Sequence, residues 1–215
     1  MKIAALLFCI ASAVAAQTPA LTFTKIFPGS QPPYVSISIT KTGALEYKEA
    51  AKDENPVKAQ LDARTSGTLF DLAQKLDFFK TPLESGLKVA NTGKKTFRYD
   101  DGTGKSSQAV FNYSTNVIAQ QLLEQFEQIG ETERAYIQLE RTARFDKLGV
   151  NDALAEIESL WLRKQLAAPL QFIPLLNRVA SHESYMHLAR ERAARLRDQF
   201  QAGGTGPKSS AATAN

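Results

Sequence analysis

The segment Tyr34-Val35-Ser36-Ile37-Ser38-Ile39-Thr40 alternates strictly, with Val35, Ile37 and Ile39 on one side and Tyr34, Ser36, Ser38 and Thr40 on the other. A period of two places one set against a core and the other in water. A chain holding such a strand must build a sheet with one covered and one wet face. The rest of residues 34–130 supplies the partners. Lys41-Thr42-Gly43 is a turn, and residues 44–48 read as the return strand. Residues 49–58 are polar and read as a loop. Leu69, Leu72, Ala73, Leu76 and Phe79 recur at helical spacing, with Ser66 as the expected cap and Pro82 as the stop. A second hairpin is expected from residues 96–100 and 106–113 around Asp101-Gly102-Thr103-Gly104. A second helix carries Ile118, Leu122, Phe126 and Ile129, with Gly130 as its left-handed stop.

This order, hairpin–helix–hairpin–helix, predicts an α+β fold. Its N-terminal part is a four-stranded antiparallel sheet with both helices on one face. Residues 131–201 carry no strand pattern and read as an all-α region. One helix is expected to about Phe145, the next capped by Asn151 with Leu154, Ile157 and Trp161 inward. Pro169 and Pro174 cannot share one straight helix, so a short piece lies between them and a new helix starts at Pro174. A last helix from about His182 to Phe200 turns Tyr185, Leu188, Ala189, Leu196 and Phe200 inward. Trp161 and Phe172 read as core.

The N-terminal pattern sets an expectation for the compartment. Lys2, the apolar run from Ile3 to Val14 and the small residues Ala13, Val14, Ala15 and Ala16 form the three-part pattern of a cleavable signal peptide. Residues 1–16 are therefore expected to be removed, and Gln17, Thr18 and Pro19 end the apolar run well short of the ~20 residues a membrane span requires. The expected address is periplasmic or secreted, with no transmembrane segment after cleavage. Cys9, the one cysteine, leaves with the signal, so the mature chain has neither a disulfide nor a thiol nucleophile. Residues 17–33 hold four prolines and read as an extended lead-in, and residues 202–215 have almost nothing to bury and read as a disordered tail.

The chemistry-bearing patterns are few. Gly102-Thr103-Gly104-Lys105-Ser106 resembles the end of a phosphate loop, but Tyr99 stands where that loop needs glycine, and a strand rather than a helix follows. Both histidines lie in one segment, His182 and His187 around Glu183. Five residues apart on a helix, they point ~140° away from each other, unlike the four-residue spacing of a zinc helix. His182, Glu183 and His187 are the candidates for a small periplasmic hydrolase. Asn112-Tyr113-Ser114 is a formal glycosylation triplet. No pattern calls for a cofactor or a resident metal. The formal net charge of +4 becomes +3 without Lys2, and the 26 Lys/Arg and 22 Asp/Glu are interspersed rather than gathered on one face, against a nucleic-acid partner.

The run Pro28-Gly29-Ser30-Gln31-Pro32-Pro33-Tyr34-Val35-Ser36-Ile37-Ser38-Ile39, followed by Gly43 and Tyr47, resembles the opening of certain exported bacterial proteins of unknown function. The resemblance spans about residues 22–130, and no activity comes with it. The wet strand face, Tyr34, Ser36 and Ser38, with Arg98 beside it, is the candidate binding surface for a protein or a cell-wall polymer of the envelope. The sequence thus reads as a non-catalytic binding module, with the hydrolase as the alternative.

Overall fold

The structure is a computed structural model that describes residues 18–203. The expected signal peptide and nearly all of the expected tail lie outside the described residues. The fold is α+β, built on one six-stranded antiparallel sheet. Its strands are β1 (Ala20–Ile26), β2 (Tyr34–Thr40), β3 (Ala44–Lys48), β4 (Val57–Gln60), β5 (Lys94–Asp100) and β6 (Ser106–Phe111), in the order β4-β3-β2-β1-β5-β6.

Two strands more than the expected four are present, and each has a physical reason. β1 lies inside the stretch read as an extended lead-in, yet it is one of the sheet's two central strands. Leu21 and Phe23 alternate with Thr22 and Thr24, and β1 pairs with β2 on one side and β5 on the other. The prolines flank it without interrupting its ladder. β4 lies at the end of the expected loop. It is four residues long and sits at the sheet edge, where a short polar strand needs only one partner.

Leu21, Phe23, Ile37, Ile39, Leu45, Tyr47, Phe97, Ala109 and Phe111 fill the covered face. Helix α1 (Ala63–Lys75) packs there through Leu69, Leu72 and Ala73. Its cap is Asp62, which accepts from the backbone N–H of Arg64 and Thr65, both at 2.9 Å. Ser66, the expected cap, is buried one turn further in and donates back to Asp62 O and Ala63 O. The helix ends before Pro82 is reached. Asp77, Phe78 and Phe79 take φ of 48°, 48° and 67°, a left-handed turn that swings Phe79 into the core and stacks Phe78 on Tyr99. Gly43 ends the first hairpin's turn at φ +88°, where a Cβ would meet Leu61 O at 2.5 Å.

The largest departure is helix α2, which runs unbroken from Val117 to Phe145, 29 residues. Gly130 was expected to stop it but sits buried in mid-helix. A helical glycine costs about 1 kcal/mol, and here apolar stripes on both sides hold the helix. Ala119, Leu122, Phe126 and Ile129 belong to the sheet's core; Ala135, Leu139 and Ala143 belong to a second core. The boundary between the 34–130 and 131–201 parts therefore falls inside one helix.

The second core is a small bundle formed with α3 (Val150–Leu162), α4 (Ile173–Ser181) and α5 (His187–Ala202). Leu154, Ile157, Trp161 and Phe172 are buried as expected, and Pro169 opens a short 3-10 turn over Pro169–Phe172 before α4 begins. Asn151 is not a cap. Its Oδ1 and carbonyl oxygen accept from Arg192 Nη1 at 2.6 and 3.0 Å, and Gly149 precedes α3 with no side-chain cap. The last helix starts at His187 rather than His182, and Leu188 is exposed while Tyr185, Ala189, Leu196 and Phe200 are buried. Among the described residues, no helix is long and apolar enough to cross a membrane.

Candidate functional site

The covered face of the sheet carries α1 and α2, whereas no side chain of the opposite face joins either core. On that open face the strand registers align cross-strand rows. Ser38 lies opposite Thr22, and Thr22 opposite Arg98. Beside this row run Ser36, Thr24 and Thr96, and then Tyr34, Ile26 and Lys94. With neighbouring strands about 4.8 Å apart, Ser38 and Arg98 stand roughly 10 Å from each other across Thr22. Tyr34, Ser36, Ser38 and Arg98 thus share one surface. The strand pattern alone missed Thr22, Thr24 and Thr96, because it did not show β1. The alternation of Leu21-Thr22-Phe23-Thr24 was the available signal.

The face is rich in hydroxyls, with charged side chains beside them, several of them paired. Thr22 Oγ1 reaches Ser38 Oγ at 3.4 Å. Lys48 pairs with Glu46 at 2.6 Å, and Arg98 lies 3.7 Å from Asp100. Two shallow hollows mark diagonal corners. One of about 340 Å³ is bordered by Ser38, Thr40, Glu46 and Lys58. The other, about 460 Å³, is bordered by Ile26, Pro28, Lys94 and Val110. Ile26 and Val110 are each more than two-fifths exposed.

The histidine segment is placed differently. His182 follows the last turn of α4, His187 opens α5, and both are exposed, as is Glu183. His187 Nε2 lies 3.3 Å from Glu191, its own helix neighbour. None of the three borders the hollows above. Among the described residues no group of three His, Cys, Asp or Glu side chains is gathered as a metal would require. Asn112 of the glycosylation triplet uses its side chain internally: Oδ1 accepts from Thr92 N at 2.8 Å and Nδ2 donates to Ala90 O at 3.0 Å. The Gly102–Lys105 segment is the β5–β6 turn, held by Asp101, whose carboxylate accepts from Thr103 and Lys105 backbone N–H and is kept below its ordinary pKa by those bonds.

One buried acid has no signal in the sequence pattern. Glu133, on α2 between the two cores, is fully buried, and burial pushes its carboxyl up to about 7. Its Oε1 accepts from Gln171 Nε2 at 3.0 Å, while Glu133 Oε2 and Gln171 Oε1 are left without partners. Next to it Thr132 Oγ1 accepts from Ala167 N at 3.0 Å. These bonds fasten the 165–171 stretch to the middle of α2. Glu133 borders neither of the two hollows above.

No protein-family model matches the chain, and no curated protein matches it in sequence.

Proposed function

We propose that this chain is an exported, non-catalytic binding module of the bacterial envelope, and that its open sheet face is the contact surface for another protein or a cell-wall polymer. The observation that carries the reading is the six-stranded face with hydroxyl side chains in cross-strand rows and, among the described residues, no helix over it. Ordered strands hold these groups with little freedom left to lose, which favours a broad contact made of many weak polar bonds. Tyr34 and Arg98 border the hydroxyl rows and supply the residue types that most often anchor protein contacts. The export part of the proposal rests on the pattern of residues 1–16, and the resemblance to exported bacterial proteins agrees with it.

The test uses the mature chain with purified cell-wall sacculi for co-sedimentation and intact envelopes for cross-linking. The wild type is expected to be retained by one of the two. A Thr22→Glu/Ser38→Glu variant that melts like the wild type is expected to lose that retention about tenfold or more, since like-charge carboxylates in the middle of the face oppose close contact. Equal retention of both proteins, or retention of neither, overturns the proposal.

A further inference from the structure

Two lysines occupy positions where the strand pattern calls for core residues. In β1 and β5 they stand directly opposite each other, Lys25 against Lys95, on the covered face of the sheet. Like charges in facing positions on neighbouring strands destabilise a sheet, and the partial burial of this pair removes much of the water that would screen it. Lys95 is 5% exposed. Its ammonium donates to Thr92 Oγ1 and Asn112 O, both at 2.8 Å, with Thr92 O and Gly93 O further off at 3.4 Å. All four are neutral oxygens. The only carboxylate paired with either lysine among the described residues is Glu127 of α2, which lies 3.7 Å from Lys25 and is about half exposed. The two short bonds use two of its three N–H donors, and no carboxylate pairs with it directly. Burial and the neighbouring Lys25 hold its ammonium below the usual lysine range, against the opposite pull of Glu127 and Glu84.

Against these lysines, under the N-terminal half of α2, lies a cavity of about 220 Å³. Phe111, Ala119 and Leu123 give it an apolar wall. Its volume has room for about seven groups the size of a water molecule. A half-apolar pocket with a few convergent charged groups is the usual form of a small-molecule site. Lys25 and Lys95 line the cavity against the single lining carboxylate of Glu127, with Glu84 acting on Lys95 from outside the lining, and the apolar wall favours a ligand with a hydrocarbon part.

We propose that this cavity binds a small monocarboxylate with an apolar body, its carboxylate taken by Lys25 and Lys95 and its hydrocarbon by Phe111, Ala119 and Leu123. An anion in this position balances the lysine pair, and its apolar part leaves water along the helix. The site is separate from the open sheet face, which lies on the other side of the sheet, so either proposal can fail without the other.

The probe is sodium hexanoate, titrated calorimetrically into the full mature chain, with hexylammonium and hexanol as the matched cation and neutral ligand. Hexanoate is expected to bind at least tenfold more tightly than either control, as befits charge-assisted bonds in a partly dry site. Lys95→Met is expected to weaken hexanoate about tenfold or more. Because that change is in the core, two partly exposed positions supply independent variants. Lys25→Met removes one cation, and Leu123→Trp fills the cavity; each is expected to reduce hexanoate affinity while the melting temperature holds. No heat from hexanoate at millimolar concentration, equal binding of hexylammonium, or unchanged affinity in both Lys25→Met and Leu123→Trp overturns the proposal.

Discussion

Replacing Glu133 by glutamine should make the protein's stability respond to pH in a defined way. In the folded chain the Glu133 carboxyl is fully buried, bonded once by Gln171, and raised from the ordinary 4.5 to about 7. The unfolded chain has no such burial, so its carboxyl titrates near 4.5. Between those two values the folded state binds more protons than the unfolded one, and stability falls as pH rises. A difference of about 2.5 on the pH scale, at 1.36 kcal/mol each, amounts to about 3 kcal/mol. That stability is fully present below pH 4.5 and gone above about pH 7. Glutamine keeps the shape and the oxygen that accepts from Gln171, and never ionises. Glu133→Gln is therefore expected to match the wild type near pH 4 and to exceed it by about 3 kcal/mol near pH 8. The assay is urea denaturation of both proteins at intervals from pH 4 to pH 8. Asp62, Glu84 and Asp101, whose carboxyls are lowered in the fold, give the opposite trend, with stability lost as pH falls. They act equally in both proteins and cancel in the difference. A difference between the two that stays flat across the range would refute the reasoning.

Phe97 lies amid the rings of Phe23, Phe79, Phe111 and Phe126, with centroids 5.1 to 5.8 Å away, so Phe97→Ala is expected to cost about 3–5 kcal/mol in urea denaturation. Asp62→Ala removes the three bonds its carboxylate accepts, two from backbone N–H groups at the start of α1 and one from the Thr65 hydroxyl, and is expected to cost about 1 kcal/mol, with loss of amide protection at Arg64 and Thr65 in hydrogen exchange. Asp77→Gly relieves a left-handed backbone at φ 48° and gives up only an exposed ion pair to Lys80, so a higher melting temperature, worth about 1 kcal/mol, is expected.

Local signals carried much of this fold, and the exceptions share a cause. The stripe of α1 and the two hairpins were legible because each element is amphipathic over its own length. β1 was hidden by context: four prolines around Leu21-Thr22-Phe23-Thr24 suggested irregular chain, while the prolines only bound the strand. Gly130 misled in the other direction. A glycine after an apolar stripe is a common helix end, but whether the helix continues depends on a second core that residues 131–201 build elsewhere. The rows of the candidate face were half legible, since register between β1, β2 and β5 comes from long-range pairing that no local pattern contains. Lys25, Lys95 and Glu133 gave no signal at all. A charged residue in a strand or helix reads as solvent-facing until the element that covers it is known.

The uninterrupted α2 also locks the two cores in phase. Each residue of a helix turns the chain by ~100° and advances it by 1.5 Å. One residue inserted between Gly130 and Glu131 would rotate Glu133, Leu139 and Ala143 away from their seats while leaving Phe126 and Ile129 in place. A flexible linker absorbs such a change at small cost, whereas this shaft cannot. The number of residues between the two apolar stripes is thus as fixed as their identity, and a shortened or lengthened α2 would have to give up one core to keep the other.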